Sequence, residues 1–189
     1  MIAGSRNCYF LIKINKNHMA RNSINVPLFA FIDVEASGFG SASYPIEVGC
    51  VFPDGIGYCS LIKPEPDWFH WDESAEKIHG ITREVLSLHG RSPHEVASEL
   101  NEKLMGKRVV TDSWYHDYNW IQTLFNATTL VPHFELTDLR SLLDDEKAAR
   151  WESTKTNVQA YLNLKRHRAS HDARVLQMTY QRVMSDEGS

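Results

Sequence analysis

From Leu28 to Val34 the chain reads LFAFIDV, an apolar, β-rich run that follows Pro27 and leads straight into Glu35. Such a run is the signature of a buried strand. It nevertheless carries two carboxylates, Asp33 and Glu35, spaced two residues apart near its end. Strand side chains alternate, so both acids leave the same face. A carboxylate pair in that position is costly to bury unless something cationic neutralises it. A divalent ion does so well, and hard ions such as Mg²⁺ or Mn²⁺ prefer oxygen ligands. The plainer reading is an exposed strand end with two solvated acids.

The segments that follow give the order of elements. After the turn-like stretch from Gly38 to Pro45, IEVGCVF (Ile46 to Phe52) and GYCSLIK (Gly57 to Lys63) read as two more strands. Pro53, Asp54 and Gly55 form the turn between them, which makes an antiparallel meander. A short helix is expected from Ser74 to Ile78. A clearer one starts at Ser92, with Pro93 at its first position and Val96, Leu100 and Leu104 along one stripe. A fourth strand, Lys107 to Asp112, leads into a helix with Trp120, Ile121, Leu124 and Phe125 on one face. A strand near Phe134 to Leu136 precedes a helix holding Leu139, Leu142 and Leu143, and a last helix runs from about Ala169 to Met184. Three strands followed by alternating helices and strands imply an α/β mixed five-stranded sheet with helices packed on it. The expected organisation is an N-terminal extension over 1–26, one domain over 27–184, and a tail over 185–189.

Two further acidic sites join the first. Asp117 precedes Trp120, Ile121, Leu124 and Phe125 by three, four, seven and eight residues, at the start of an amphipathic helix and on its buried side. Asp112 is a nearby rival because it ends the fourth strand; the helical register favours Asp117. A helix-start acid that merely interacts with the dipole is the plainer alternative. In HRASHDAR, His167 precedes Asp172 by five residues, and Ala169 and Ala173 are small enough for close packing on the sheet. Lys165, Arg166, Arg168 and Arg174 surround this segment, so a solvated basic patch is the alternative there.

Composition excludes several classes. No apolar run approaches the roughly 18 residues needed to cross a bilayer. Three cysteines without metal-ligand spacing argue against a disulfide framework or zinc knuckle and fit a cytoplasmic setting. A net charge of −4 argues against a broad duplex-binding surface, though not against a cleft that grips a few nucleotides through bound metal ions.

Phosphodiester hydrolysis develops negative charge on the attacking, phosphoryl and leaving oxygens. Two metal ions about 4 Å apart stabilise both ends of such a displacement, and holding them requires several carboxylates. A histidine suits the removal of a proton from water. The order Asp-x-Glu, Asp, then His-x-x-x-x-Asp resembles the DnaQ-like, or DEDDh, family of 3′→5′ exonucleases: FIDVEASGF is similar to its first motif and HRASHDA to its last. KIHGIT, Lys77 to Thr82, resembles a segment typical of the bacterial branches. The second motif departs from the family's usual His-Asn-x-x-Phe-Asp, with Asp112-Ser113-Trp114-Tyr115-His116-Asp117 in its place.

The resemblance covers about Leu28 to Met184. It implies a ribonuclease H-like fold, two Mg²⁺ or Mn²⁺ ions held by Asp33, Glu35, Asp117 and Asp172, and His167 as general base. It further implies a single-stranded nucleic acid, DNA or RNA, as substrate, entered at the 3′ end with release of nucleoside monophosphates. Gly38 and Phe39 would meet the last base, with His79 and Ile81 on the other side of that pocket. The aromatic trio Trp68, Phe69 and Trp71 reads as a stacking platform or as a cover for a core edge. A non-catalytic binding module and a proofreading subunit active within a complex are the alternatives. Only SDEGS follows Met184, which favours a stand-alone enzyme, with a homodimer as in several branches of the family.

Overall fold

The computed structural model describes residues 29–185. The expected extension over 1–26 and the tail beyond Ser185 lie outside the described residues. β1 (Ala30–Ala36), β2 (Pro45–Val51) and β3 (Gly57–Leu61) form the expected antiparallel meander. β4 (Arg108–Thr111) and β5 (Glu135–Asp138) then add in parallel, giving the order β3-β2-β1-β4-β5. β1, the apolar strand that carries the acids, is therefore central. The result is a mixed five-stranded sheet flanked by helices, the ribonuclease H-like α/β class.

Alternation along β1 divides the core. Ala30, Ile32, Val34 and Ala36 join one cluster with Val96, Leu100 and Leu104 of α3 (Pro93–Leu104) and Trp120, Ile121 and Leu124 of α4 (Trp114–Asn126). Phe31 points the other way, to Leu176, Tyr180 and Val183 of α6 (Ala169–Met184). Asp33 and Glu35 share Phe31's parity, so the two acids lie on the α6 side of the sheet. α3 begins as its sequence predicts. The Ser92 hydroxyl accepts from the Glu95 N–H while the Glu95 carboxylate accepts from the Ser92 N–H, a complete capping box with Pro93 in the first turn.

Several elements depart from expectation. α1 (Glu73–His79) is a little longer than expected and α2 (Arg83–His89), capped by Thr82, follows it. Leu139, Leu142 and Leu143 do not share an α-helix: Leu139–Leu142 make a single 3₁₀ turn, and Leu143 is already extended. The helix in this region is α5 (Asp145–Leu162), which starts at an Asp144 cap. Only Trp151 and Val158 of its 18 residues are buried, too sparse a stripe for periodicity to announce it. Among the described residues no helix is long and apolar enough to cross a membrane.

The start of α6 sits very close to the sheet. Ala169 and Ala173 are fully buried. A Cβ added at Gly49 of β2 would lie 2.1 Å from the Ser170 nitrogen and 2.2 Å from the Ala169 carbonyl carbon. Backbone meets backbone here, so nothing flexible yields. Gly49→Ala is expected to lower stability by about 1–3 kcal/mol, the usual range for overpacking. Urea unfolding checks this, and an unchanged midpoint would contradict the contact.

Candidate active site

The carboxyl ends of β1 and β4 lie side by side, and the starts of α4 and α6 reach them from opposite faces of the sheet. Asp33, Glu35, Asp117, His167 and Asp172 all line one cleft of about 330 Å³ there, with Gly38, Phe39 and His79 in its walls. One ligand atom from each of Glu35, His167 and Asp172 lies within 4.8 Å of the others. Asp117 is buried in the first turn of α4 and accepts from the Thr111 hydroxyl. Its rival Asp112 also lines the cleft but is engaged by Lys155 of α5, whose Nζ donates to it at 2.6 Å.

The loop before α6 carries His167 in a left-handed conformation, with φ of 56°. Non-glycine residues adopt this region sparingly, and such positions concentrate where a side chain must be aimed. Two residues that local sequence signals do not reveal hold the loop. Glu47 lies opposite Glu35 in the β1–β2 register and is buried. Arg168 donates to it from Nε at 3.1 Å and from Nη2 at 2.5 Å, and the Ala169 N–H donates at 3.0 Å. Glu47 is thus satisfied by the residues that open α6, which fixes His167 and Asp172 over the acids of β1. A signal exists only in the pairing of the two strands, because Glu47 in isolation is one acid in an apolar run.

Among the described residues Asp33, Glu35, Asp117 and Asp172 have no ion pair of this kind, and Asp117 accepts only from the Thr111 hydroxyl among side chains. Burial raises the Asp33 pKa well above the usual carboxylate range, and Asp117, Glu35 and Asp172 add to the rise. Burial, then Asp172 and Glu47, push Glu35 up to about 7, against the opposing pull of Arg168. Asp117 is raised by burial, partly offset by its Thr111 hydrogen bond, and Asp172 by burial against the charge of His167. Four crowded carboxylates with raised pKa values are a site short of positive charge, and an all-oxygen donor set with an adjacent imidazole suits a hard divalent cation.

The substrate-side expectations divide. Gly38 is buried with φ of 135°, and a Cβ there would lie 2.6 Å from the Asp72 Cβ, so the turn requires glycine. Phe39 is 67% exposed at the cleft. His79 is 2% exposed; its Nδ1 accepts from the Ile81 N–H at 3.0 Å, which places the ring proton on Nε2. That Nε2 is buried and has no protein partner among the described residues. Ile81 is not brought to the cleft: it packs with Tyr44, Ile46 and Leu86. Of the aromatic trio, Trp68 stacks on Tyr44 at 5.0 Å and Trp71 donates to Glu76 at 2.7 Å, while Phe69 stays 78% exposed. The loop is chiefly a core cover.

No protein-family model matches the chain, and no curated protein matches it. Solved structures do. Exonuclease I of E. coli in complex with a dA16 oligonucleotide superposes with a TM-score of 0.60 at 14% identity, covering 84% of this chain and 42% of that one. A zinc-bound form of the E. coli enzyme with single-stranded DNA gives 0.58 at 13% identity, covering 85% and 42%. The moderately thermophilic exonuclease I of Methylocaldum szegediense gives 0.58 at 16%, covering 86% and 41%. The likeness establishes the fold, and the chain spans about two fifths of the length of these proteins.

The raised carboxylates predict how stability responds to pH. Glu35 goes from an ordinary 4.5 to about 7 on folding, so the metal-free protein keeps a proton that the unfolded chain gives up. Its contribution is fully present below 4.5 and is lost as pH rises to about 7. In chelator, the melting temperature should therefore fall across this window, and Mg²⁺ or Mn²⁺ should restore it at the upper end. A melting temperature in chelator that rises steadily over the same range would contradict the assignment.

Proposed function

We propose that residues 27–184 form a metal-dependent 3′→5′ exonuclease acting on single-stranded DNA or RNA and releasing nucleoside 5′-monophosphates. The observation that carries this reading is the convergence of four carboxylates and one histidine, from three separate chain segments, in a single cleft. The similarity of the motifs to DnaQ-like DEDDh exonucleases supports it, as does the shared fold with exonuclease I proteins solved with single-stranded oligonucleotides.

Asp33, Glu35, Asp117 and Asp172 would hold the two divalent ions. Bound there, such ions supply Lewis acidity and offset the charge that grows on the phosphoryl and leaving oxygens. The protein supplies the remaining steps. His167, held over Glu35 and Asp172 by the Arg168–Glu47 pair, takes the proton from the attacking water. His79 stands in the cleft wall on the terminal nucleotide's side, and burial lowers its pKa, which favours the neutral ring. Gly38 lets the β1 loop turn tightly enough for Phe39 to contact the last base.

The test is a Mg²⁺ time course on 5′-labelled DNA and RNA strands. A ladder shortening from the 3′ end is expected with the natural sequence and should be absent with Asp33→Ala. His167→Ala should lower kcat by about 10²–10⁴-fold, the usual share of a general base, while Mn²⁺ binding persists. His79→Ala should raise KM more than it lowers kcat. Full activity in Asp33→Ala would contradict the site, and no cleavage by the natural sequence would favour a binding module with the same fold.

A further inference from the structure

Beside the cleft, the first two turns of α4 carry four rings in five residues: Trp114, Tyr115, His116 and Tyr118. The helical register turns Asp117, Trp120 and Ile121 inward, and Tyr115 is left 69% exposed. Tyr115 is not isolated. Its ring meets that of His116 edge to face at 5.3 Å, and His116 meets Phe39 in the cleft wall the same way at 5.1 Å. His116 stacks at 5.5 Å on Trp120, which is buried and donates to the Ser43 hydroxyl at 2.9 Å. The row is therefore fixed to the core at its middle and open to solvent at both ends, and its inner end is a wall of the proposed active site.

The electrostatics point to what such a row would hold. The chain carries a net charge of −4, α4 itself holds no Lys or Arg, and of the cleft's cations Lys155 is engaged by Asp112 while Arg166 stands on the loop before α6, away from this row. A strand drawn in mainly by phosphate neutralisation needs unengaged cations along its path. Aromatic faces bind unpaired bases without them, at about 1–3 kcal/mol per base. Bases in a duplex are already stacked and gain little from such a surface. Continuity with the cleft decides the occupant, since Phe39 belongs both to the cleft wall and to the ring row.

Building on the hydrolytic reading above, the geometry points to a stacking ledge formed by Phe39, His116 and Tyr115. It receives the unpaired bases that precede the terminal nucleotide. Tyr115, at the outer end, is the specificity-determining residue: it favours single strands longer than a dinucleotide over dinucleotides and over paired ends. Tyr115 and His116 lie in the segment in which the chain departs from the usual second motif of DnaQ-like exonucleases, whereas Phe39 belongs to the loop after the first motif.

The experiment compares the full chain with Tyr115→Ala and Tyr115→Trp, using 5′-labelled single strands of about eight nucleotides and a dinucleotide. Cleavage kinetics are measured in Mg²⁺ and strand binding by fluorescence anisotropy in chelator. Tyr115→Ala should raise KM for the longer strand about tenfold, the order expected for one lost stack, and leave kcat and the dinucleotide KM unchanged. Tyr115→Trp should restore the longer strand's KM, and binding should weaken only slightly as salt rises. Equal KM values for Tyr115→Ala and the natural sequence on the longer strand would overturn the ledge, as expected of a surface that serves a protein partner. So would an equal loss on both substrates. Binding that depends on Tyr115 without cleavage would overturn the hydrolytic reading and keep the ledge. A chain that neither cleaves nor binds overturns both.

Discussion

The arrangement of the cleft depends on one close approach, the first turn of α6 lying on β2 at Gly49. No side chain separates the two backbones there, and Ala169 and Ala173 keep the helix equally bare on its own side. That contact sets the height of Asp172 and His167 above the sheet. The Arg168–Glu47 pair then fixes the rotation and position of the helix start, with the Ala169 N–H as a third bond to the same carboxylate. Glu47 is buried beside Glu35, yet it is spent on positioning. Its neighbour, half-buried and crowded by Asp172 and Glu47, is left with a pKa near 7.

The site is thus assembled against its own electrostatics. Hydrophobic packing on both faces of β1 holds the strand in place, and the acids at its end accept crowding that they would not choose in solution. The crowding raises the pKa values of these acids in the metal-free protein. Divalent ions would relieve it at neutral pH while leaving the carboxylates ionised, so the same strain that weakens the apo protein favours metal. The departure of His167 into left-handed backbone belongs to the same economy: local strain is tolerated where packing over-determines the loop.

Much of this was legible in the residues. The central acidic strand showed itself through an apolar run interrupted at a spacing of two, and α3 through its capping box. Asp117 could be placed from its register with Trp120 and Ile121, and α6 from its small residues and apolar spacing. α5 stayed hidden because its two buried residues lie seven apart, and the Leu139–Leu143 segment misled because leucines close in sequence can serve a 3₁₀ turn as well as a helix. Glu47, Gly49 and Lys155 act through partners more than 40 residues away, so no local pattern marks them. Ile81 followed His79 in the motif, but the chain turns it into the core.

The account rests on the claim that these acids form a divalent-cation site, and calorimetric titration of the metal-free chain with Mn²⁺ at neutral pH addresses it most directly. The predicted result is saturable binding of two ions per chain with release of protons, measured as a dependence of the heat on the buffer's ionisation enthalpy. Binding should be weakened by Asp33→Ala and retained by Tyr115→Ala. Absence of saturable binding, or binding without proton release, would contradict it.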